Sequence, residues 1–553
     1  MGAIEFCSMP LPLTPLRILE HTLQVFAANP GVICGEKRFT YGEFGRRCGQ
    51  LAQALLSLGV RRGDRVGYLS YNTHKLLEGY YGVVQAGAIA MPLNVRLSAT
   101  ELIAILNHAE PAVLFYEAEF SPLVEQFRQH CRAVGVFVPL DEAAAGDQAP
   151  DGADYEAILA AHEPAPIDFH SVRDDDIAEL FYTSGSTGSP KGVMLSHRAL
   201  YQHGFAVATL YRDPSTMVDL HTIPLFHANG WGHPQASTML GVKQVMVRRF
   251  DPAAVCRLIG RERATDMSLV PTMANALLNL PDLQQYDVSS LRTVMIGGAA
   301  ASPVLIERME KAFHCQIFAG YGLTETCPVL TCAQEKGGEA HTSDAERWQR
   351  RAMTGTPIPG VHLRVVDFRM NDVPRDGTSV GEIVASCDWL MSGYYKDEAA
   401  THVVMTGPRG EPGGVPDEPV WFHTGDMAVW DKETQVLIVD RKKEIIISGG
   451  ENISSLEIEK HIFAHPAVLE CAVVAAPDPQ WGEIPVAIVV LKPSDQLTAA
   501  ELLSFLGGRL GKFKLPRRVE FVPGPLPKTG TGKIRKMTLR EPFWAEHAKR
   551  VQG

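Results

Sequence analysis

Short apolar runs alternate along this chain with segments in which apolar residues return every three or four positions. Asp64–Ser70 (DRVGYLS) predicts a buried strand, His74–Gln85 a helix, and Ala88–Pro92 another strand. The pattern returns further on. A short strand ends at Leu269–Pro271, Thr272–Leu280 is predicted helical, and Leu291–Ile296 is a strand running into Gly297-Gly298. Ser302 stands where it can cap a helix, with Pro303 in the first turn. Gln316–Phe318 is the next strand, expected to end at Gly320-Tyr321-Gly322. This alternation predicts an α/β fold of parallel sheets with helices on both faces. Ligands of such sheets bind at the carboxyl ends of strands, where the glycine-rich segments after Ile296 and Phe318 lie.

The pattern changes toward the C-terminus. Trp421–Val439 has strand-and-turn character, and a charged segment, Asp440–Glu444, follows. Beyond it, Ser454-x-x-Glu457 and Thr498-x-x-Glu501 read as capping boxes opening two helices. Val468–Ala476 and Pro485–Leu491 read as strands. The expectation is a large domain over 1–440 and a small α+β domain over 441–553. Stretches 142–156 and 406–419, rich in Gly, Pro and acids, are expected to be loops.

At 553 residues the chain is too long for one core. Its net charge of −11 argues against a general nucleic-acid or acidic-membrane binder. The ten cysteines are scattered, without C-x-x-C or zinc spacing, as in reduced intracellular proteins. The N-terminus lacks the basic and apolar regions of a secretory signal, and Phe6 stands where a myristoylation signal needs Ser or Thr. No apolar stretch reaches the roughly 18 residues of a membrane span. A cytoplasmic location is expected.

Tyr182–Val193 (YTSGSTGSPKGV) carries the sharpest chemistry. Gly185 and Gly188 let phosphate oxygens approach main-chain N–H groups. Thr183, Ser184, Ser186 and Thr187 add hydroxyls, and Lys191 adds a positive charge. Pro190 before Lys191 and Gly192 after it exclude a Walker A loop, and no G-x-G-x-x-G is present. The segment reads as a polyphosphate-holding loop.

Further segments follow in fixed order: PLFHANGW at 224–231, GGAAAS at 297–302, GYGLTE at 320–325, WFHTGD at 421–426, DRKKEIIISGGEN at 440–452 and PKTGTGK at 527–533. This set resembles the adenylate-forming superfamily of acyl-CoA synthetases, peptide-synthetase adenylation domains and luciferases, over about residues 15–540. The resemblance implies a large domain of α/β layers with a β-barrel-like part, and a small mobile C-terminal domain. It implies a two-step reaction using ATP, Mg2+ and coenzyme A through an acyl-adenylate. By motif match, Thr183–Lys191 grips the β- and γ-phosphates, Thr324 the α-phosphate, and Glu325 the metal. Tyr321 stacks on adenine, between Gly320 and Gly322, with Gly298, Ala299 and Ala300 on its other side. Asp426 holds the ribose hydroxyls, with Arg441 as basic partner.

Lys533 corresponds to the lysine that bridges the attacking carboxylate and ATP, whereas Arg535 and Lys536 read as solvated. Lys443 matches the hinge position. Ser448, Gly449, Gly450 and Glu451 resemble the segment facing the pantetheine tunnel, and Lys514 and Arg517 are candidates for CoA phosphates. His227, Ala228, Asn229, Gly230, Trp231, Gly297, Leu323 and Val329 match the acyl pocket. Few polar groups stand among them, which favours an apolar acid of medium or long chain. A benzoate- or cinnamate-like acid and a methylthio-alkanoate are the alternatives. An oxidative luciferase and a non-catalytic nucleotide-binding homologue are the competing classes. No carrier-like segment follows, which points to free CoA. A homodimer stays open.

Overall fold

The computed structural model describes residues 11–141, 154–183, 190–337, 343–407, 418–441, 444–448, 451–493, 495–507, 509–528 and 534–545. It forms two compact units. One comprises the chain to His362 with Ala385–Phe422, the other Leu363–Val384 with the chain from His423 onward. The expected boundary near residue 440 lies inside the second unit.

The first unit holds two large sheets. In one, Gln316–Gly322, Thr293–Ile296, Asp266–Leu269, Val218–His221, Lys243–Met246 and Pro30–Cys34 run parallel in that spatial order. Helices follow their strands as expected. Ser302 Oγ accepts from Leu305 N at 3.1 Å and so caps Pro303–Phe313, whose proline needs no N–H there. Helix Pro271–Leu278 begins one residue before its expected start and ends two before its expected end.

In the other sheet, Ile89–Pro92, Arg65–Leu69, Val113–Tyr116 and Val136–Pro139 run parallel. Helix His74–Gln85 has its predicted bounds, with Thr73 as cap, and is buried along its whole length. Ile177–Thr183 and Lys191–Ser196 depart from the parallel expectation: they form an antiparallel hairpin, with Thr183 opposite Lys191.

Strand Gln316–Gly322 also outruns its prediction. Gly320, Tyr321 and Gly322 pair antiparallel with Val329–Cys332 rather than forming a loop. The return strand supplies backbone partners to residues that would otherwise read as a turn.

Strands His362–Val366, Gly381–Ser386, Trp421–Trp430 and Val436–Arg441, most of whose residues belong to the second unit, form a half-barrel-like sheet. A further sheet orders Glu451–Ile453, Ile446–Ser448, Gly482–Leu491 and Val468–Asp478, with Arg518–Phe521 parallel to Gly482–Leu491. Alternate residues of Val468–Asp478 face opposite sides. Cys471 and Val473 pack with Ile458, Ile462, Leu502 and Leu506; Ala472 and Val474 pack with Leu526 and with Leu539 and Phe543 of helix Lys536–Trp544. Thr498 and Glu501 form the full capping box. The Ser454 box is half made, because Glu457 turns to Lys514 Nζ at 2.7 Å instead of the cap backbone. Among the described residues no helix is long and apolar enough to cross a membrane.

Candidate active site

Thr183 and Lys191 close the base of the hairpin that carries the phosphate-loop sequence; Ser184, Gly185, Ser186, Thr187 and Gly188 lie outside the described residues. Lys191 Nζ stands 4.6 Å above the centre of the Tyr394 ring. Tyr394 OH donates to Glu325 Oε1 at 2.9 Å, and Glu325 O accepts from Met391 N at 2.8 Å. Tyr394 therefore joins the expected phosphate lysine to the expected metal carboxylate. Burial and the Glu325 charge push its hydroxyl pKa up, so it stays a donor. Sequence reasoning missed it: Tyr394 sits about 70 residues from Glu325 and reaches it through the pairing of Gly393-Tyr394 with Met194 and Val193.

Thr324 and Glu325 form a short 3-10 turn after Gly322, buried and half-buried respectively. Thr326 Oγ1 accepts from Leu323 N at 3.0 Å and holds this turn. One half-buried carboxylate linked through Tyr394 to the base of the candidate phosphate hairpin suits Mg2+, which is usually held by one or two carboxylates plus substrate phosphates. Gly298, Ala299 and Ala300 are exposed along the carboxyl end of the parallel sheet, and Tyr321 is half-buried on the neighbouring strand.

The acyl-pocket candidates meet around one turn. Ala228, Gly230, Trp231 and Gly232 have φ of 42°, 53°, 66° and 79°. Two non-glycine residues in left-handed backbone within four positions mark stored strain, which clusters at ligand sites. The preceding segment is pinned by Asn72, which bonds His221 O, Ile223 O and Leu225 N, and by Tyr80 on Leu225 O. The turn lays the Trp231 indole against Gly297 and Gly298. A Cβ on Gly297 would meet Gly320 O at 2.8 Å and the Trp231 ring at 3.0 Å. His203 lies beneath: a Cβ on Gly232 would meet its ring at 2.3 Å, and its Nε2 accepts from Val329 N at 3.1 Å. Trp231, Gly297, Gly298 and Val329 are thus gathered in one place, with His227 and Leu323 half-buried beside their respective turns. Asn229 lies in the same turn.

His203 is neutral, its pKa lowered by burial to about 3; His197 is lowered to about 4 and His221 is also lowered, again by burial. Between the unfolded value and these values, the unfolded chain binds more protons, so acid costs stability. Asp266, raised by burial to about 6, opposes this, as does His74, whose pKa Cys34 and Glu156 raise despite burial. Stability of the first unit is expected to fall below about pH 6.5, by roughly 1 kcal/mol per pH unit for each uncompensated histidine. Denaturant melts at pH 7 and pH 5 check this, and His203→Gln should flatten the slope.

In the second unit, Asp426 is buried and pairs with Arg441, Nε to Oδ1 at 2.7 Å, as register partners of one antiparallel ladder. Ser448 is buried opposite Glu451; Gly449 and Gly450 lie outside the described residues, as do Lys443 and Lys533. Lys514 bonds Glu457, and the Arg517 guanidinium stacks 4.9 Å from the Trp481 ring centre. Lys536 corrects its prediction. It is mostly buried, 2.8 Å from Glu459 and 3.0 Å from Glu444, because three acids converge on it from segments distant in sequence.

Residues 19–395 match the AMP-binding enzyme family, and residues 457–533 match the AMP-binding enzyme C-terminal domain. The chain belongs to the AMP-binding enzyme family. A long-chain-fatty-acid–CoA ligase of Thermus thermophilus is 39% identical over 92% of this chain and 90% of its own length. A peroxisomal butyrate–CoA ligase of Arabidopsis thaliana is 35% identical over 96% and 93%. An anthranilate CoA ligase solved with anthranoyl-AMP superposes with a TM-score of 0.82 at 26% identity, covering 97% of this chain and 98% of its own. This member is an AMP-forming acid–thiol ligase that works through an adenylate, with ATP, Mg2+ and CoA as cofactors. The relatives take a long-chain, a short-chain and an aromatic acid, so family membership leaves the acid undecided.

Proposed function

We propose that this enzyme joins a medium- or long-chain fatty acid, or a similar apolar acid, to CoA. The observation that carries the reading is the acyl-pocket cluster: the Trp231 ring against Gly297-Gly298, with a neutral His203 bonded to Val329 N beside it. The pocket candidates Ala228, Gly230, Trp231, Gly297, Leu323 and Val329 carry no charge to hold an amine or a second carboxylate.

The roles follow from chemistry. The acid's carboxylate attacks the α-phosphorus of ATP, forming a carboxyl-O–P bond as the bond to pyrophosphate breaks. The CoA sulfur then attacks the acyl carbon, and AMP leaves with the shared oxygen. Lys191 and the hydroxyls of its hairpin hold the leaving phosphates, Thr324 the α-phosphate, and Lys533 offsets repulsion between the two anions. Glu325, fixed by Tyr394, is the carboxylate for Mg2+, which would supply charge neutralisation on the phosphates. Asp426 receives the ribose, and Tyr321 the adenine. The domain from 441 turns about Lys443 between the two steps, and Ser448–Glu451 then faces pantetheine. Lys514 and Arg517 are the CoA-phosphate contacts; for Lys514 this requires exchanging Glu457 for phosphate. We place the enzyme in the cytoplasm, and a homodimer is the assembly to test by sedimentation.

AMP release across short, medium, long and aromatic acids, with and without CoA, tests this reading. Best turnover on apolar alkyl acids, dependent on CoA, supports it; a clear preference for amino acids would overturn it. Trp231→Ala removes the wall over Gly297. The ratio of kcat/KM for long over short acids should rise about tenfold or more, and an unmoved ratio would mean the indole does not bound the chain.

A further inference from the structure

Asp440, Glu444 and Glu459 surround one ammonium group, that of Lys536. Lys536 Nζ lies 2.8 Å from Glu459 Oε1, 3.0 Å from Glu444 Oε2 and 2.8 Å from Ser455 Oγ. Asp440, wholly buried, accepts from Ser455 N and from Ser455 Oγ at 3.2 Å. Glu459 also accepts from Val473 N at 2.6 Å. Burial and the mutual proximity of the acids raise the pKa of Asp440 and bring that of Glu459 to about 6, and the three acids keep Lys536 charged. Burying one cation with two carboxylates, Asp440 and Glu459, beside a half-buried third, Glu444, is costly. Placing a cation at the first position of helix Lys536–Trp544 opposes the helix dipole as well. Packing alone gives no reason for either cost.

Position supplies one. Asp440 and Glu444 bracket residues 441–443, which include the proposed hinge residue Lys443. Glu444 is held there by its N–H on Arg441 O at 2.8 Å. Lys536 stands three residues after Lys533. The described residues on either side of 529–533 are paired: Lys528 bridges Ile534, Arg535 N donates to Pro527 O at 2.7 Å, and Glu470 binds Lys528 and Leu526 N.

We propose that Lys536 is a positioning residue for adenylation, fastening the chain just after Lys533 to Glu444 of the 440–444 strap and to Glu459 of helix Ser455–Phe463. This rests on the role proposed for Lys533. The full-length enzyme and its K536M, K536R, E444Q and K536M/E444Q variants are compared in two assays, ATP–pyrophosphate exchange and thioester formation from supplied acyl-adenylate. K536M should lower kcat of exchange about tenfold or more, with ATP KM and the thioester step changed less than about threefold. K536R should restore most of the loss. E444Q should lower exchange severalfold, and the double variant should be no worse than K536M, as expected for two members of one cluster.

The proposal is overturned if folded K536M exchanges like wild type, if both half-reactions fall equally, or if the two losses multiply. Should K536M fail to fold, E444Q decides, and wild-type exchange in E444Q overturns the proposal. Normal exchange in Lys533→Ala would instead refute the reading of Lys533.

Discussion

Lys533→Ala is expected to lower ATP–pyrophosphate exchange about 100- to 1,000-fold while leaving conversion of supplied acyl-adenylate to thioester largely intact. The asymmetry follows from where charge lies. A carboxylate approaching a polyphosphate brings two anions to within about 4 Å, a repulsion on the order of 4 kcal/mol at an effective dielectric of 20. One ammonium between them offsets that term, and loss of a comparable electrostatic group typically costs about 2.7–4 kcal/mol of barrier. The second step begins from an adenylate whose acyl group has lost its charge, so the same lysine has little left to stabilise. Measuring the half-reactions separately decides the matter. Equal loss in both would remove Lys533 from the adenylation step.

Gly322→Ala should be as damaging for a different reason. The new methyl would fall 1.8 Å from Pro328 O and 2.5 Å from Pro328 C, both backbone atoms of the return segment. Neither can swing aside as a side chain would, so the pair Gly322 and Val329 must separate. The Thr324-Glu325 turn hangs on that pair, and His203 is bonded to Val329 N. We expect about 3 kcal/mol or more of destabilisation and loss of nearly all exchange activity. Gly507→Ala is the control: its Cβ meets nothing within 4 Å, and it should leave both stability and exchange near wild type. A stable Gly322→Ala enzyme with unchanged ATP KM would contradict the geometry given for Glu325.

Local signals read well where a single element determines itself. His74–Gln85 and the Ser302 cap were legible because apolar spacing and capping need no distant partner. Order along the chain also singled out Lys191, Glu325 and Asp426 as candidates, and the first two prove to share Tyr394. Long-range pairing was not legible. Gly320-Tyr321-Gly322 read as a loop since nothing local announces that Val329–Cys332 returns beside it. Tyr394 gave no sign of reaching Glu325, because the strand that carries it there pairs with residues two hundred positions earlier. Lys536 looked like a tail charge because its acids come from a strap and a helix about 80 to 90 residues away. Glu457 fitted a capping box and chose a lysine instead.

Adenylation requires a carboxylate oxygen to attack the α-phosphorus of ATP. An apolar acid labelled with 18O in both carboxyl oxygens, turned over with ATP and CoA, tests it directly. One label per turnover should appear in the AMP phosphoryl group and one should remain in the thioester. Turnover that yields unlabelled AMP, or ADP with labelled orthophosphate, would contradict it.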